Sequence, residues 1–467
     1  MLMREKDNLN NLMQLYPLLK KHKNIRVSKG RCLIYDHRTG EADLESLQNF
    51  VLLSLFDGTR KLAETAELYQ DIFSCPSADF RRQLERLLAK HDNSIAYHAE
   101  EQPKRTFFQL SLLKNTDRWT YSPLRDEYPH KLTIVLTECC NHQCDYCFKS
   151  CDSSRGQELS AEEWLRVIDQ AQQMGVQEIT FTGGEPFLYK DFLKLVAHCS
   201  EKGIYTKIST NGTLLDKDAI RRLKQSGAEF IHLSLPCVSE ELYDRITKSK
   251  GDFRNVVQAI SLLKRHGFYI RTKMVLTPNN SQEAEKLIDF CAAKGVDFLH
   301  LAPYILTENS RLGRQLIPAE SALMKIRKLA DEKRKIHENM VISEVPISSL
   351  KWADHTCISK CGGIKDSLTI LANGDITFCE ALKDLPEFML GNISDITLEQ
   401  LWNSPKPDKV TSLDGKRLDP SCLACKYLQQ CRTGCFVFSH MQANNPWSID
   451  PRCFRFCGAH NIFDNQN

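Results

Sequence analysis

The sequence lacks any apolar run near the ~20 residues that cross a bilayer, so no membrane-spanning helix is expected. Its start, MLMREKDNLNNLM, has no apolar h-region, and no secretory signal is expected. Net charge is almost absent: 62 Lys+Arg against 59 Asp+Glu leaves +3, which argues against a general nucleic-acid binder. Low-complexity tracts and short repeats are missing, and 42% hydrophobic with 26% charged residues excludes wholesale disorder. A cytoplasmic protein with no membrane and no nucleic-acid partner is the resulting expectation. At 467 residues the chain has room for about three domains and can bury a core without disulfide staples.

Cysteine is what the chain has in excess. It holds 19, with five between Cys139 and Cys151 and nine between Cys357 and Cys457. A reducing compartment does not sustain structural disulfides, so dense cysteine there points to metal or catalysis. Ordinary buried thiols account for Cys32, Cys75, Cys199, Cys237 and Cys291, which stand alone in apolar or helical settings. They do not account for the two dense groups.

Residues 1–92 read as one small unit, with a strand at Arg31–Asp36, a short second strand, and helical spacing over 44–56, 62–73 and 80–90. A strand pair plus three short helices is a winged-helix pattern. Residues 93–130 carry Pro103, Pro123 and Pro129 with little periodicity and read as a linker. Residues 131–340 alternate strand and helix. Strands are expected at 132–136, 178–181, 205–208, 230–235, 270–276 and 298–302, with helices near 161–174, 191–202, 216–226, 253–266 and 282–294. Six βα units in series require parallel strands with right-handed crossovers, in an open doubly wound or a barrel-like sheet. Either places ligands at the C-terminal strand ends. Residues 350–467, rich in Cys, Gly, Pro and Asp, read as a segment organised by metal.

The first cysteine group follows the first barrel strand as TECCNHQCDYCF. Cys140, Cys144 and Cys147 have C-x3-C-x2-C spacing, so one tight loop offers three thiolates. They can hold three corners of a [4Fe–4S] cube and leave the fourth iron open. The alternative is zinc, with a fourth ligand from His142 or Cys151.

This motif and its downstream elements resemble the radical S-adenosylmethionine (SAM) enzymes. The segment TFTGGEPFL, with Gly183, Gly184 and Glu185, resembles the family's binding segment for the methionine amino group. Glycines allow close backbone approach, and a carbonyl or carboxylate suits an ammonium. Ser209 and Asn211 in ISTNGT, and Ser234 at the end of strand four, stand at positions resembling the family's polar cofactor contacts. Pro236-Cys237 replaces the usual Asp-Gly after that serine. Tyr146 resembles the aromatic beside the adenine. The resemblance implies a partial (βα)6 TIM-like barrel within an α/β chain. It also implies reductive cleavage of SAM to a 5′-deoxyadenosyl radical that removes a hydrogen atom from substrate.

The second group, Cys422, Cys425, Cys431 and Cys435, has C-x2-C-x5-C-x3-C spacing. It is preceded by Cys361, Gly374 and Cys379 and followed by Cys453. This run, with GNI at 391–393 and Leu401-Trp402 in the gap, resembles the SPASM domain, an iron–sulfur extension with two auxiliary clusters. The resemblance implies Cys357, Cys361, Cys379 and Cys435 for one cluster and Cys422, Cys425, Cys431 and Cys453 for the other, with Cys457 competing for the last place. Two structural four-thiolate zinc sites are the alternative. Glu380, directly after Cys379, matches an Asp that acts as base in anaerobic sulfatase-maturating enzymes.

LLSLFDGTRKLAETAELY, after a strand pair containing YDHRTGEADL, resembles the leader-recognition domain of ribosomal-peptide pathways. Such domains take a peptide as an added strand. Together these resemblances imply three [4Fe–4S] clusters, SAM, a precursor peptide held by residues 1–92, and a flavodoxin- or ferredoxin-type reductant. The expected product is an intramolecular thioether or carbon–carbon crosslink. Formylglycine formation and peptide epimerisation are the rivals; the latter needs a thiol such as Cys237 or Cys291 facing the cavity.

Overall fold

The computed structural model describes residues 9–28, 31–73, 77–103, 125–149, 157–308, 310–344, 363, 365–412, 416–425, 428, 433–450 and 453. They fall into two compact units, one N-terminal and one that holds the barrel and the cysteine-rich segment. No helix among the described residues is long and apolar enough to cross a membrane.

The N-terminal unit is built around two sheets. β1 (Tyr16–Leu19) pairs antiparallel with β5 (Ile95–His98). β2 (Lys23–Ser28), β3 (Arg31–Asp36) and β4 (Ala42–Glu45) form a three-stranded antiparallel sheet with β4 at one edge. Helices Leu47–Ser54, Leu62–Phe73 and Ser77–His91 bury Phe50, Leu53, Leu62, Tyr69, Leu84 and Leu88 in a shared core. The expected strand pair and three helices are present. β2 is an addition, and β5 lies inside the stretch read as linker, so the N-terminal unit runs past residue 92.

The second unit is a ten-stranded sheet in the order β12-β11-β10-β9-β8-β7-β6-β13-β14-β15. The six expected strands are β6 (Lys131–Val135), β7 (Glu178–Thr182), β8 (Tyr205–Thr210), β9 (Phe230–Ser234), β10 (Tyr269–Leu276) and β11 (Phe298–Pro303). They lie side by side and parallel, as serial βα crossovers require. The intervening helices are set by local signals. Helix Ala161–Met174 starts at a Ser160–Glu163 capping box and stops at Gly175, whose φ of 87° is left-handed.

The sheet extends further than six strands. β12 (Val341–Glu344) adds in parallel to β11. β13 (Ser367–Ile370), from the cysteine-rich segment, adds in parallel to the opposite edge at β6. β14 (Asp375–Thr377) and β15 (Met389–Asn392) continue it antiparallel. The cysteine-rich segment thus shares the barrel's sheet. It also buries apolar side chains of its own, including Leu398, Leu401 and Trp402.

Candidate active site

The loop after β6 is held in place from two sides. On one side Gln143 and Asp145 N–H groups donate to the Thr247 and Ile246 carbonyls, at 3.1 and 2.9 Å, at the end of helix Glu240–Thr247. On the other, Gly184 N–H donates to Thr137 O at 2.7 Å and Glu185 N–H to Cys139 O at 2.8 Å. The glycines serve this second contact. A Cβ on Gly183 would lie 2.5 Å from the Thr137 carbonyl oxygen, and one on Gly184 only 2.1 Å from the Cys139 carbonyl oxygen. Sequence reasoning gave these glycines to a ligand; the structure shows them admitting the backbone of the cysteine loop.

Cys140, Cys144 and Cys147 are gathered by this loop. Burial pushes the Cys140 thiol up to about 11 and the Cys144 thiol up to about 12, and the neighbouring thiols add to both shifts. Such crowded thiols stay protonated without a cation among them and become thiolates when iron is bound. His142 N–H donates to Cys140 Sγ at 3.4 Å. The imidazole itself turns away: its Nε2 is 2.9 Å from Asp252 Oδ2 and its ring lies edge-on to Tyr243. Asp252 thus occupies one ring nitrogen of His142. Cys151 lies outside the described residues. No three His, Cys, Asp or Glu side chains converge on a single metal ion among the described residues.

Glu185 is fully buried and already occupied. Its Oε1 accepts from Thr210 Oγ1 at 2.7 Å and Phe187 N at 3.2 Å, and its Oε2 accepts from Asn211 N at 2.8 Å. The carboxylate ties β7 to β8, leaving the backbone carbonyl of Gly183 to meet an ammonium. An ammonium is there: Lys149 Nζ donates to Gly183 O at 2.9 Å. Asn211 Nδ2 donates to Asn141 Oδ1 at 2.7 Å, linking β8 to the cysteine loop. Ser209 and Ser234 face the concave side one row apart, and neither hydroxyl has a partner among the described residues. Tyr146 is hydrogen-bonded to Cys144, so its hydroxyl points back at the cluster loop. Three thiols, an ammonium-accepting carbonyl and two open hydroxyls at adjacent strand ends fit a [4Fe–4S] cluster and the methionine end of SAM.

Burial raises Glu185 from 4.5 to about 7, against the three hydrogen bonds, which lower it. The stability tied to its protonated form is full below the unfolded value of about 4.5 and is lost as pH rises through about 7. Metal-free protein should lose thermal stability as pH rises from about 4.5 to about 7 and level off above that, and Glu185→Gln should flatten that slope when Tm is followed against pH.

The cysteine-rich segment reaches this loop through two ion pairs. Glu380, next to Cys379, contacts Lys149 Nζ at 2.5 Å, and Lys383 contacts Glu138 at 2.8 Å. Glu380 is ion-paired and largely buried, not solvated. Sequence reasoning missed Lys149, whose only signal was its place two residues after Cys147. Cys422 and Cys425 share one turn, Cys425 N–H donating to Cys422 O at 3.0 Å. Asp450 joins two other expected ligands: its Oδ2 accepts from Cys435 N–H, and its carbonyl from Cys453 N–H, both at 2.8 Å. The thirteen described cysteines form no disulfides. Cys357, Cys361, Cys431 and Cys457 lie outside the described residues.

Cys237 and Cys291 are each 0% exposed. Cys291 meets Thr272 on the helix-facing side of β10, and Cys237 donates to Ser239 O at 3.5 Å. Neither is presented as the hydrogen donor an epimerase needs.

Comparison with known proteins agrees with this geometry. The profile of the Radical SAM superfamily matches residues 134–291, and that of SPASM, an iron-sulfur cluster-binding domain, matches residues 361–426. Among solved structures, Streptococcus suis SuiB bound to precursor peptide SuiA superposes with a TM-score of 0.68 at 19% identity, over 94% of this chain and 99% of that one. SuiB bound to S-adenosylmethionine gives 0.67, at 19% identity over 93% and 99%. Native anSMEcpe with bound AdoMet and the Cp18Cys peptide gives 0.55 at 21% identity, over 71% of this chain and 95% of that one. These likenesses show a shared fold. With the two profile matches and the three-cysteine loop seated on the GGEP segment, the chain is an enzyme that carries a Radical SAM domain followed by a SPASM domain, which together imply iron–sulfur clusters and SAM.

Proposed function

We propose that this enzyme is a leader-guided peptide maturase that installs an intramolecular thioether or carbon–carbon crosslink in a ribosomally made precursor. The observation that carries the reading is the exposed edge strand of the N-terminal unit. β4 pairs with β3 on one side only among the described residues, and Leu44 within it and Leu47 just after it are 58% and 60% exposed. Such an edge accepts an extended peptide as a further strand. A groove lined by Ser46, Asn49, Arg82, Gln83 and Arg86 adjoins it. The SuiB chain solved with its precursor peptide matches 94% of this chain, whereas the anSMEcpe chain matches 71%. That difference favours a leader-guided enzyme over a formylglycine-forming one.

When bound, the cluster of the first loop and SAM supply the radical. The chain's own residues position its partners. Cys140, Cys144 and Cys147 hold the cluster, and Gly183, Ser209, Asn211 and Ser234 face SAM, with Tyr146 by the loop. Cys357, Cys361, Cys379 and Cys435, and Cys422, Cys425, Cys431 and Cys453, hold two auxiliary clusters. Fully thiolate-ligated by these residues, such clusters would supply an electron acceptor for a dehydrogenating crosslink, and a flavodoxin- or ferredoxin-type protein would supply the electron that starts the reaction. Glu380 takes the proton. Its carboxylate is held by Lys149 Nζ, which also donates to the Gly183 carbonyl.

Co-expression with the short peptides encoded beside the gene tests the reading. Tandem mass spectrometry should show loss of two hydrogens per crosslink, suppressed by excess of the leader segment alone. An unchanged mass, or a thiol replaced by an aldehyde, overturns it. Glu380→Gln should lower crosslinked product about 10- to 100-fold while 5′-deoxyadenosine release persists. Equal loss of both products would make Glu380 structural instead.

A further inference from the structure

The concave face of the barrel is cationic at a depth the cluster loop does not explain. Register fixes two inward rows. Ser209, His232, Arg271 and Phe298 form one, and Ser234, Lys273 and His300 form the next, nearer the C-terminal strand ends. The alternate residues face the helices, as Thr272 does against Cys291, and Ile231, Leu233, Ile270 and Met274 are 0% exposed. Below these rows Lys207 is neutralised by Glu178 at 2.9 Å, and above them Lys149 by Glu380.

Arg271 and Lys273 have no carboxylate among the described residues. Arg271 lies over the Phe298 ring at 4.4 Å, and its Nη2 donates to His300 Nδ1 at 2.6 Å. Arginine only donates, so His300 Nδ1 accepts and its Nε2 carries the proton. That Nε2 and Arg271 Nε are buried without a partner. Lys273 has no acceptor among the described residues. Burial, then Arg271 and Lys149, bring Lys273 down to about 8, and burial with Arg271 and Lys273 holds His300 neutral at about 3. The groups of this cluster left unpartnered are therefore donors, with two positive charges, in a place where barrels ordinarily stack apolar side chains. Buried cations are costly unless an anion meets them.

We propose that Arg271 and Lys273, with His300, form a carboxylate-binding site inside the barrel that holds an Asp or Glu side chain of the peptide being modified. The inference rests on the maturase reading for its ligand. The α-carboxylate of SAM does not use up the site: it carries one charge, and Arg271 lies two residues, about 6.6 Å, deeper than the Ser234–Lys273 row. An acidic side chain seated there is anchored below the radical source, which fixes the neighbouring peptide carbon for hydrogen abstraction.

The test is calorimetric titration of the reconstituted, SAM-saturated enzyme with N-acetyl-aspartate amide and N-acetyl-glutamate amide, against the asparagine and glutamine counterparts. At least one acid should bind about 10-fold tighter than its neutral partner. Arg271→Gln and Lys273→Gln should each erase the preference, and Lys273→Arg, which keeps the charge, should retain it. Equal binding of acid and amide, or a preference that survives in the double Gln variant, overturns the site. The maturase reading fails separately. Acid preference with no peptide modified leaves the site standing and removes the maturase. Modified peptides whose acidic residues tolerate Asn and Gln, with no acid preference in titration, remove the site alone.

Discussion

The variant with Cys140, Cys144 and Cys147 all replaced by Ala should release no measurable 5′-deoxyadenosine from SAM under reducing conditions, a loss of at least ~1,000-fold. All three thiols arise from one eight-residue stretch; among their described neighbours, His142 is bound to Asp252 and Cys139 is buried at 7% exposure. Iron in the C-terminal segment should survive, because Cys379, Cys422, Cys425, Cys435 and Cys453 are untouched. Iron analysis and low-temperature EPR of the reduced protein therefore separate loss of one cluster from collapse of the chain. Residual SAM cleavage above about 1% of wild type would refute the assignment of the radical-generating cluster to this loop.

Gly184→Ala should be nearly as damaging, although it removes no ligand. The added Cβ would stand 2.1 Å from the Cys139 carbonyl oxygen, 2.4 Å from its carbon and 2.9 Å from the Glu138 oxygen. All three are backbone, so the loops must part, and the bonds from Gly184 N to Thr137 O and from Glu185 N to Cys139 O break with them. A local cost of about 2–4 kcal/mol follows, and SAM cleavage should fall about 100-fold as the cysteine loop leaves its register. Gly267→Ala is the control. Its φ is +71° but nothing lies within 4 Å of the new Cβ, so only the backbone strain of about 1 kcal/mol applies. Normal SAM cleavage by Gly184→Ala would show that the two loops are not coupled in this way.

Much of this was legible in the sequence because the barrel strands carry a strong period-2 signal ended by glycine or capping residues. The helix over 161–174 and the strand over 31–36 emerge at their expected limits. Elements that depend on distant partners were not legible. β13 is four residues long, Ser367–Ile370, and becomes part of the barrel only by pairing with β6. The GGEP segment was legible as a motif, but its physics was not: Glu185 reads as a ligand in sequence and is a tie between strands in space. The Lys149–Glu380 pair spans more than 200 residues and leaves no local trace. The cationic rows did leave one. In YIRTKMVL the alternate residues Ile270, Thr272, Met274 and Leu276 are the buried set, three of them apolar, so Arg271 and Lys273 fall on the opposite, inward face.

The pairing of β6 with β13 also bears on how the chain comes to be folded. β6 carries the cysteine loop at its C-terminal end, yet one of its two edges is completed by residues synthesised more than two hundred positions later. During synthesis the barrel therefore passes through a stage in which its first strand is an open sheet edge beside three cysteines. The contact has high sequence separation, so it closes late and slowly compared with the serial βα pairings. A chain that stops before residue 367 keeps that edge exposed, and aggregation, not merely loss of the C-terminal cysteines, is the outcome the topology dictates.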